Sequence, residues 1–124
     1  ASDVYKRQGE RRATLLATGS EVAIALEAAD MLARFGVEVA VVSMPCWELF
    51  ERQSEEYRQS VLGSVCRVAV EAATQMGWER WLGQRGGFVG MRGFGASGPA
   101  EELYAHFGIT AQAVHDEVRR LLQI

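Results

Sequence analysis

Three short apolar runs of this 124-residue chain end on a polar residue: Ala13–Thr18 on Thr18, Val37–Ser43 on Ser43, and Cys66–Glu71 on Glu71. Each reads as a strand. In a parallel sheet these ends share one edge, where α/β folds place their ligands. A carboxylate that closes an apolar strand, as Glu71 does, has the make-up of a buried general base or a ligand anchor. Its plainer role is to accept hydrogen bonds from neighbouring backbone N–H groups or to lie at an interface. Directly after the first strand, Gly19-Ser20-Glu21 opens a helix, and helix-start N–H groups can hold a phosphate or carboxylate. Against that, Glu21 itself brings negative charge, no P-loop lysine follows, and a plain helix cap accounts for the same residues. Ser20, Glu21, Ser43 and Glu71 are therefore candidates for a strand-end crevice or an interface. No catalytic, cofactor-binding or metal-binding residue is assigned.

Other groups fail on spacing. Eight of the 13 glycines fall between Gly77 and Gly98, and Gly93 to Gly98 form a literal GxGxxG. A dinucleotide site also needs an acidic residue about 20 positions on, at the end of a second strand. Here that position lies near Glu117, inside an amphipathic helix, so the glycines read as a tight structural loop. His106 and His115 sit on separate helices, each toward the polar face, without the HxxxH or HExxH spacing of a metal site. Cys46 follows Pro45 in a loop and has no histidine nearby in sequence to activate a thiolate. Cys46 and Cys66 lie far apart with no CxxC, which argues against a disulfide framework or a cysteine zinc site. Two free thiols fit a reducing, cytoplasmic compartment. Trp47, Trp78 and Trp81 lack clustered basic neighbours, so they read as packing or interface anchors, not base-stacking platforms.

The elements that must position these groups follow from periodicity. Val22, Ala25, Leu26, Ala29, Leu32 and Ala33 fall on one face of a helix over Glu21–Phe35. Thr18 to Glu21 has capping-box spacing, and Gly36 takes the position after the helix that favours glycine. A short helix spans Ser54–Leu62, one or two helical turns span Trp78–Leu82, and Phe88–Met91 is a weak fourth strand. Pro99 opens a helix that Gly108 stops, with Leu103 and Phe107 as its buried pair. Thr110 caps the last helix, with Ile109 and Val114 as the hydrophobic staple and Val114, Val118, Leu121 and Leu122 as its core stripe. Strands alternating with helices predict an α/β fold of three layers around a mainly parallel sheet. Residues 1–12 are polar and aperiodic and read as a tail or foreign end, leaving 13–124 as one domain.

Composition narrows the class. Hydrophobic residues make up 48% and charged residues 23% of the chain, which is ordinary for a globular domain. A net charge of -3 leaves no basic surplus for a nucleic-acid backbone. No apolar run approaches the roughly 18 residues of a membrane span, and the first residues lack the apolar core of a signal peptide.

Leu15–Val22 (LLATGSEV), Val37–Pro45 (VEVAVVSMP), Glu55–Leu62 (EEYRQSVL), Arg67–Ala73 (RVAVEAA) and Phe88–Thr110 (FVGMRGFGASGPAEELYAHFGIT) together resemble the C-terminal domain of the transketolase family, in order and spacing. The resemblance covers residues 13–122. It implies about five strands flanked by helices, with the first strand antiparallel; taken as Ala13–Thr18, that strand would carry Thr18 away from Ser43 and Glu71. It implies a parent enzyme that moves a two-carbon ketol unit between sugar phosphates, using thiamine diphosphate as electron sink and a divalent metal (Mg or Ca). In the family these are held by the two preceding domains of a homodimer. The motifs of those domains, a GDG with its downstream Asn and the pyrimidine-side glutamate region, are absent here, so no catalytic residue is carried over. This domain is then a packing and dimer-supporting part, inactive alone. The alternative is a free-standing module that binds a small anion or a partner protein. Three positions depart from the family: residues 1–8 match nothing expected, Cys46-Trp47 replaces small polar residues, and Gly63 stands where proline is frequent.

Overall fold

The computed structural model describes residues 3–4, 10–44, 47–63, 66–71, 78–82, 86–90 and 109–124, with residues 3, 4 and 79 described by their backbone alone. Its elements are β1 (Asp3–Val4), β2 (Ala13–Ala17), α1 (Glu21–Arg34), β3 (Val39–Ser43), α2 (Trp47–Glu51), α3 (Glu55–Leu62), β4 (Cys66–Glu71), α4 (Glu79–Leu82), β5 (Gly87–Gly90) and α5 (Ala111–Leu122). One sheet has the order β1-β3-β2-β4-β5. β2, β3, β4 and β5 run parallel, and β1 pairs antiparallel to β3.

Both faces of the sheet are covered, which is why its strands read as unbroken apolar runs. Leu15, Ala17, Val39, Val41, Val68 and Val70 pack under α1 and α5. Leu16, Val42, Ala69 and Phe88 pack on the other face with Phe50, Val61, Trp78 and Trp81 from α2, α3 and α4. This is the three-layer α/β arrangement expected from the alternation of elements.

The antiparallel strand is β1, so the orientation expected for Ala13–Thr18 is corrected. A 14-residue helix separates β2 from β3, a connection long enough to bring the second strand back parallel. Residues 1–12, read as a tail, supply the edge strand and Arg11. The helix α2 had no sequence signal, because five residues are too few to show a helical period. The expected Pro99 helix and the residues of the GxGxxG run lie outside the described residues.

Gly36 and Thr110 end and begin their helices as expected, and Ser54 adds a cap that the sequence did not single out. Gly36, at φ +91°, ends α1; its N–H donates to the Ala33 carbonyl (3.0 Å) and the Val37 N–H to the Leu32 carbonyl (2.8 Å), the paired bonds of a Schellman end. The Ser54 and Thr110 hydroxyls accept from the Tyr57 and Ala113 N–H groups, each at 3.1 Å. Ile109 and Val114 are both buried beside the second of these caps. The capping box at Thr18–Glu21 does not form: Ser20 makes no side-chain cap, and the Thr18 hydroxyl is engaged elsewhere. The stripe of α1 is also rotated from the expected one. Glu21, Ala25, Ala28, Ala29 and Leu32 are buried, while Ala33 faces out.

Two arginines fasten α3 to the sheet. Arg11 Nη1 donates to the Val61 carbonyl (2.7 Å) and Thr14 Oγ1 (3.1 Å), and Nη2 to the Ser60 carbonyl (3.2 Å). Arg67 donates to the Gly63 carbonyl through Nη2 (2.6 Å), to the Trp81 carbonyl through Nη1 (3.0 Å) and to Gln59 Oε1 (3.3 Å). These cations satisfy the end of a helix whose carbonyls point at them. Gly63 turns there at φ +74° with Arg11 lying over it, a backbone angle closed to the proline frequent in the family. Arg67→Ala leaves several carbonyls unpaired and is expected to cost about 2 kcal/mol, read as a lower urea midpoint. Arg67→Lys, which lacks the planar fork, should recover only part of it.

Candidate functional site at the carboxyl edge of the sheet

The parallel arrangement returns Thr18, Ser43 and Glu71 to one edge. β2 and β4 are paired with Ala17 opposite Val70, which brings Thr18 beside Glu71. Thr18 Oγ1 donates to Glu71 Oε2 at 2.8 Å. The α1 connection leaves β2 for one face, whereas α4, which follows β4, packs on the opposite face. Neighbouring strands whose connections part in this way flank a topological switch point, where open α/β sheets bind ligands. Here the Thr18–Glu71 bond spans that crevice.

Ser43 does not join this pair. Side chains alternate along a strand. Val42 packs on the α2–α3 face with Leu16 and Ala69, whose next same-face neighbours are Thr18 and Glu71. Ser43 therefore sits on the opposite, α1 face. Glu21 begins α1 and is only 6% exposed, with Ser20 Oγ at 3.4 Å from its Oε2. Glu21 so brings its own carboxylate to the first turn of α1, where it disfavours an external anion. The structure thus brings together Thr18 with Glu71, and Ser20 with Glu21. Thr18, which sequence reasoning took only as a strand end and cap, is the group that engages Glu71. A polar residue level with Glu71 on a neighbouring strand is the signal that marks it.

His115 is corrected from the polar to the buried face. It is 8% exposed, its ring meets that of Phe35 edge-on at 6.0 Å, and its Nδ1 lies 3.0 Å from Asp116 Oδ1. The reason is spacing: Ala111, Val114, His115 and Val118 share one buried stripe. The hydrogen bond with His115, followed by that from Gln112, holds the Asp116 carboxyl below its ordinary range. Met31, Arg34, Phe35 and His115 line a shallow depression of about 280 Å³, which is remote from the strand ends. Trp78 and Trp81 are buried and Trp47 stands edge-on to Trp78 at 4.8 Å, as packing anchors do. Cys46 and His106 lie outside the described residues. Among the described residues no three His, Cys, Asp or Glu side chains gather to hold a metal, and no helix is long and apolar enough to cross a membrane.

The fold is that of a doubly wound α/β domain whose strand-end crevice is bridged by the Thr18–Glu71 hydrogen bond. The family model described as "Transketolase-like TK C-terminal domain" matches residues 3–110, and the chain belongs to that family. It is similar to the transketolase of Sinorhizobium medicae (strain WSM419), 58% identical over 94% of this chain and 17% of that protein. It is also similar to the transketolase of Cereibacter sphaeroides, 58% identical over 86% of this chain and 16% of that one. The solved structure of a transketolase from Leishmania mexicana superposes with a TM-score of 0.90 at 42% identity, covering 98% of this chain and 18% of that chain. The chain thus spans under a fifth of the length of these relatives.

Thr18→Val and Glu71→Met, neither of which can form the bond, are each expected to lose about 1 kcal/mol of stability. In a double-mutant cycle the pair should be non-additive, because one hydrogen bond is removed twice; urea unfolding of the four proteins measures this. At Cys66, burial first and the Glu117 carboxylate second push the thiol up to about 11 from an ordinary 9.0. Its thiolate fraction at neutral pH is then about a hundredfold below that of an ordinary cysteine. Alkylation by iodoacetamide should be correspondingly slow, and Glu117→Gln should quicken it.

Proposed function

We propose that this chain is the C-terminal part of a transketolase that, when whole, moves a two-carbon ketol unit between sugar phosphates. In this reading residues 13–124, together with β1 and Arg11 ahead of them, form a domain that supports the subunit and its homodimer and supplies no reacting group. Thiamine diphosphate and a divalent metal (Mg or Ca) belong to the preceding domains. The observation that carries the reading is coverage: 94% of this chain matches only 17% of the Sinorhizobium protein at 58% identity, so most of such an enzyme lies elsewhere. The described residues do not fit the cofactor pair. Glu71 is engaged with Thr18, Glu21 is buried at a helix start, and both carboxylates have the wrong sign for a diphosphate. A free, half-buried Cys66 supports a reducing compartment, which we take as the cytoplasm.

The purified 124-residue chain, given thiamine diphosphate, magnesium and sugar-phosphate donor and acceptor, is expected to show no ketol transfer. An antibody against it should detect a native polypeptide several times heavier than 13.6 kDa. Turnover by the chain alone would overturn the non-catalytic role, and a native band at the chain's own mass would overturn the parentage.

A further inference from the structure

We propose that the face formed by α2 and the first turn of α3, centred on Leu49 and Tyr57, seats the preceding part of the same subunit. That part presents to it an apolar contact with a charged rim. The inference rests on the proposed parentage and is tested separately from it.

The register of the edge strand says where the preceding chain arrives. Asp3 lies opposite Ser43 and Val4 opposite Val42, so β1 begins beside the last residue of β3. Whatever precedes Asp3 is delivered at the carboxyl edge of the sheet. α2 begins at the same edge, because only residues 44–46 separate it from the end of β3. α3 then runs back to the amino edge, where Arg11, next to the start of β2, holds the Val61 carbonyl. Its first turn, with Tyr57, is therefore at the carboxyl edge too.

The large apolar side chains that stay exposed among the described residues are Phe35 (51%), Leu49 (46%), Ile124 (45%) and Tyr57 (39%). Phe35 ends α1 at the amino edge and is already covered in part by the Arg119 guanidinium, 4.1 Å from its ring centre. Ile124 follows α5 and is held through its N–H by the Arg119 carbonyl. Leu49 and Tyr57 instead stand on a firm platform. Phe50 beneath them is fully buried, 6.3 Å from the Tyr57 ring and 5.2 Å from Trp81. Their surroundings carry both signs of charge, with Arg52 exposed just after α2 and Arg58 next to Tyr57. Glu51 is paired with Arg80, but Glu48, Glu55 and Glu56 are exposed and make no ion pair among the described residues. An apolar centre with a charged rim is the anatomy of a protein interface.

The test is thiol labelling in the full-length native polypeptide, with labelled peptides identified by mass. Leu49→Cys, and in parallel Tyr57→Cys, are expected to lose maleimide labelling under conditions where Phe35→Cys reacts to completion; all three should label equally in urea. Labelling of Leu49→Cys and Tyr57→Cys as fast as Phe35→Cys would overturn the inference. So would labelling that returns on dilution in step with subunit dissociation, which assigns the face to a second copy. Ketol transfer by the same preparations reads the parentage independently. An active protein with a reactive Leu49→Cys sinks this inference alone, and an inactive wild-type polypeptide with a protected one sinks the functional reading alone.

Discussion

Burial of β2 and β4 on both faces is the constraint from which the architecture follows. Leu15, Leu16, Val68, Ala69 and Val70 are wholly inaccessible to solvent, so neither face of the central strands tolerates water. Burying such side chains contributes on the order of 25 cal/mol per Å² of apolar surface. That requires helices above and below, hence connections that alternate between the faces. Once β2 sends its helix to one side and the β4 connection goes to the other, a crevice must open between their carboxyl ends. The polar residues there are a product of the layering.

Crevices of this kind become active sites when their groups are left available for a ligand. In this chain the groups turn toward one another. Thr18 gives its hydroxyl proton to Glu71, and Glu21 folds against its own helix start. A hydrogen bond that satisfies a half-buried carboxylate removes the cost of desolvating it and also removes it from other work.

Legibility in the sequence followed the strength of the local signal. α1, β3, α3, β4 and α5 carried periodicity or β-branched runs plus caps, and each was found within a residue or two. What was missed required knowledge of non-local neighbours. β1 is two residues of an unpatterned segment that forms a strand only because β3 offers an edge. α2, at five residues, is little more than one turn and too short for its period to repeat. Thr18 looked like a cap because a residue 53 positions away could not be seen. His115 looked exposed until Phe35 was placed beside it. Ser20, Glu21, Ser43 and Glu71 all lie toward the carboxyl edge of the sheet, but that Ser43 faces away from Glu71 follows from strand alternation and a register that only pairing reveals.

Arg11 and β1 bear on how this unit can be excised or fused. A composition-based boundary would begin a fragment at Ala13. Such a cut would strip the outer edge of β3, leaving Val42 and Ser43 with open backbone groups. It would also unclasp the end of α3 from the sheet. A bare parallel edge invites sheet-to-sheet growth between molecules. The few polar residues ahead of the first full strand thus act as a selvedge, a finished border that keeps the fabric from joining its neighbour.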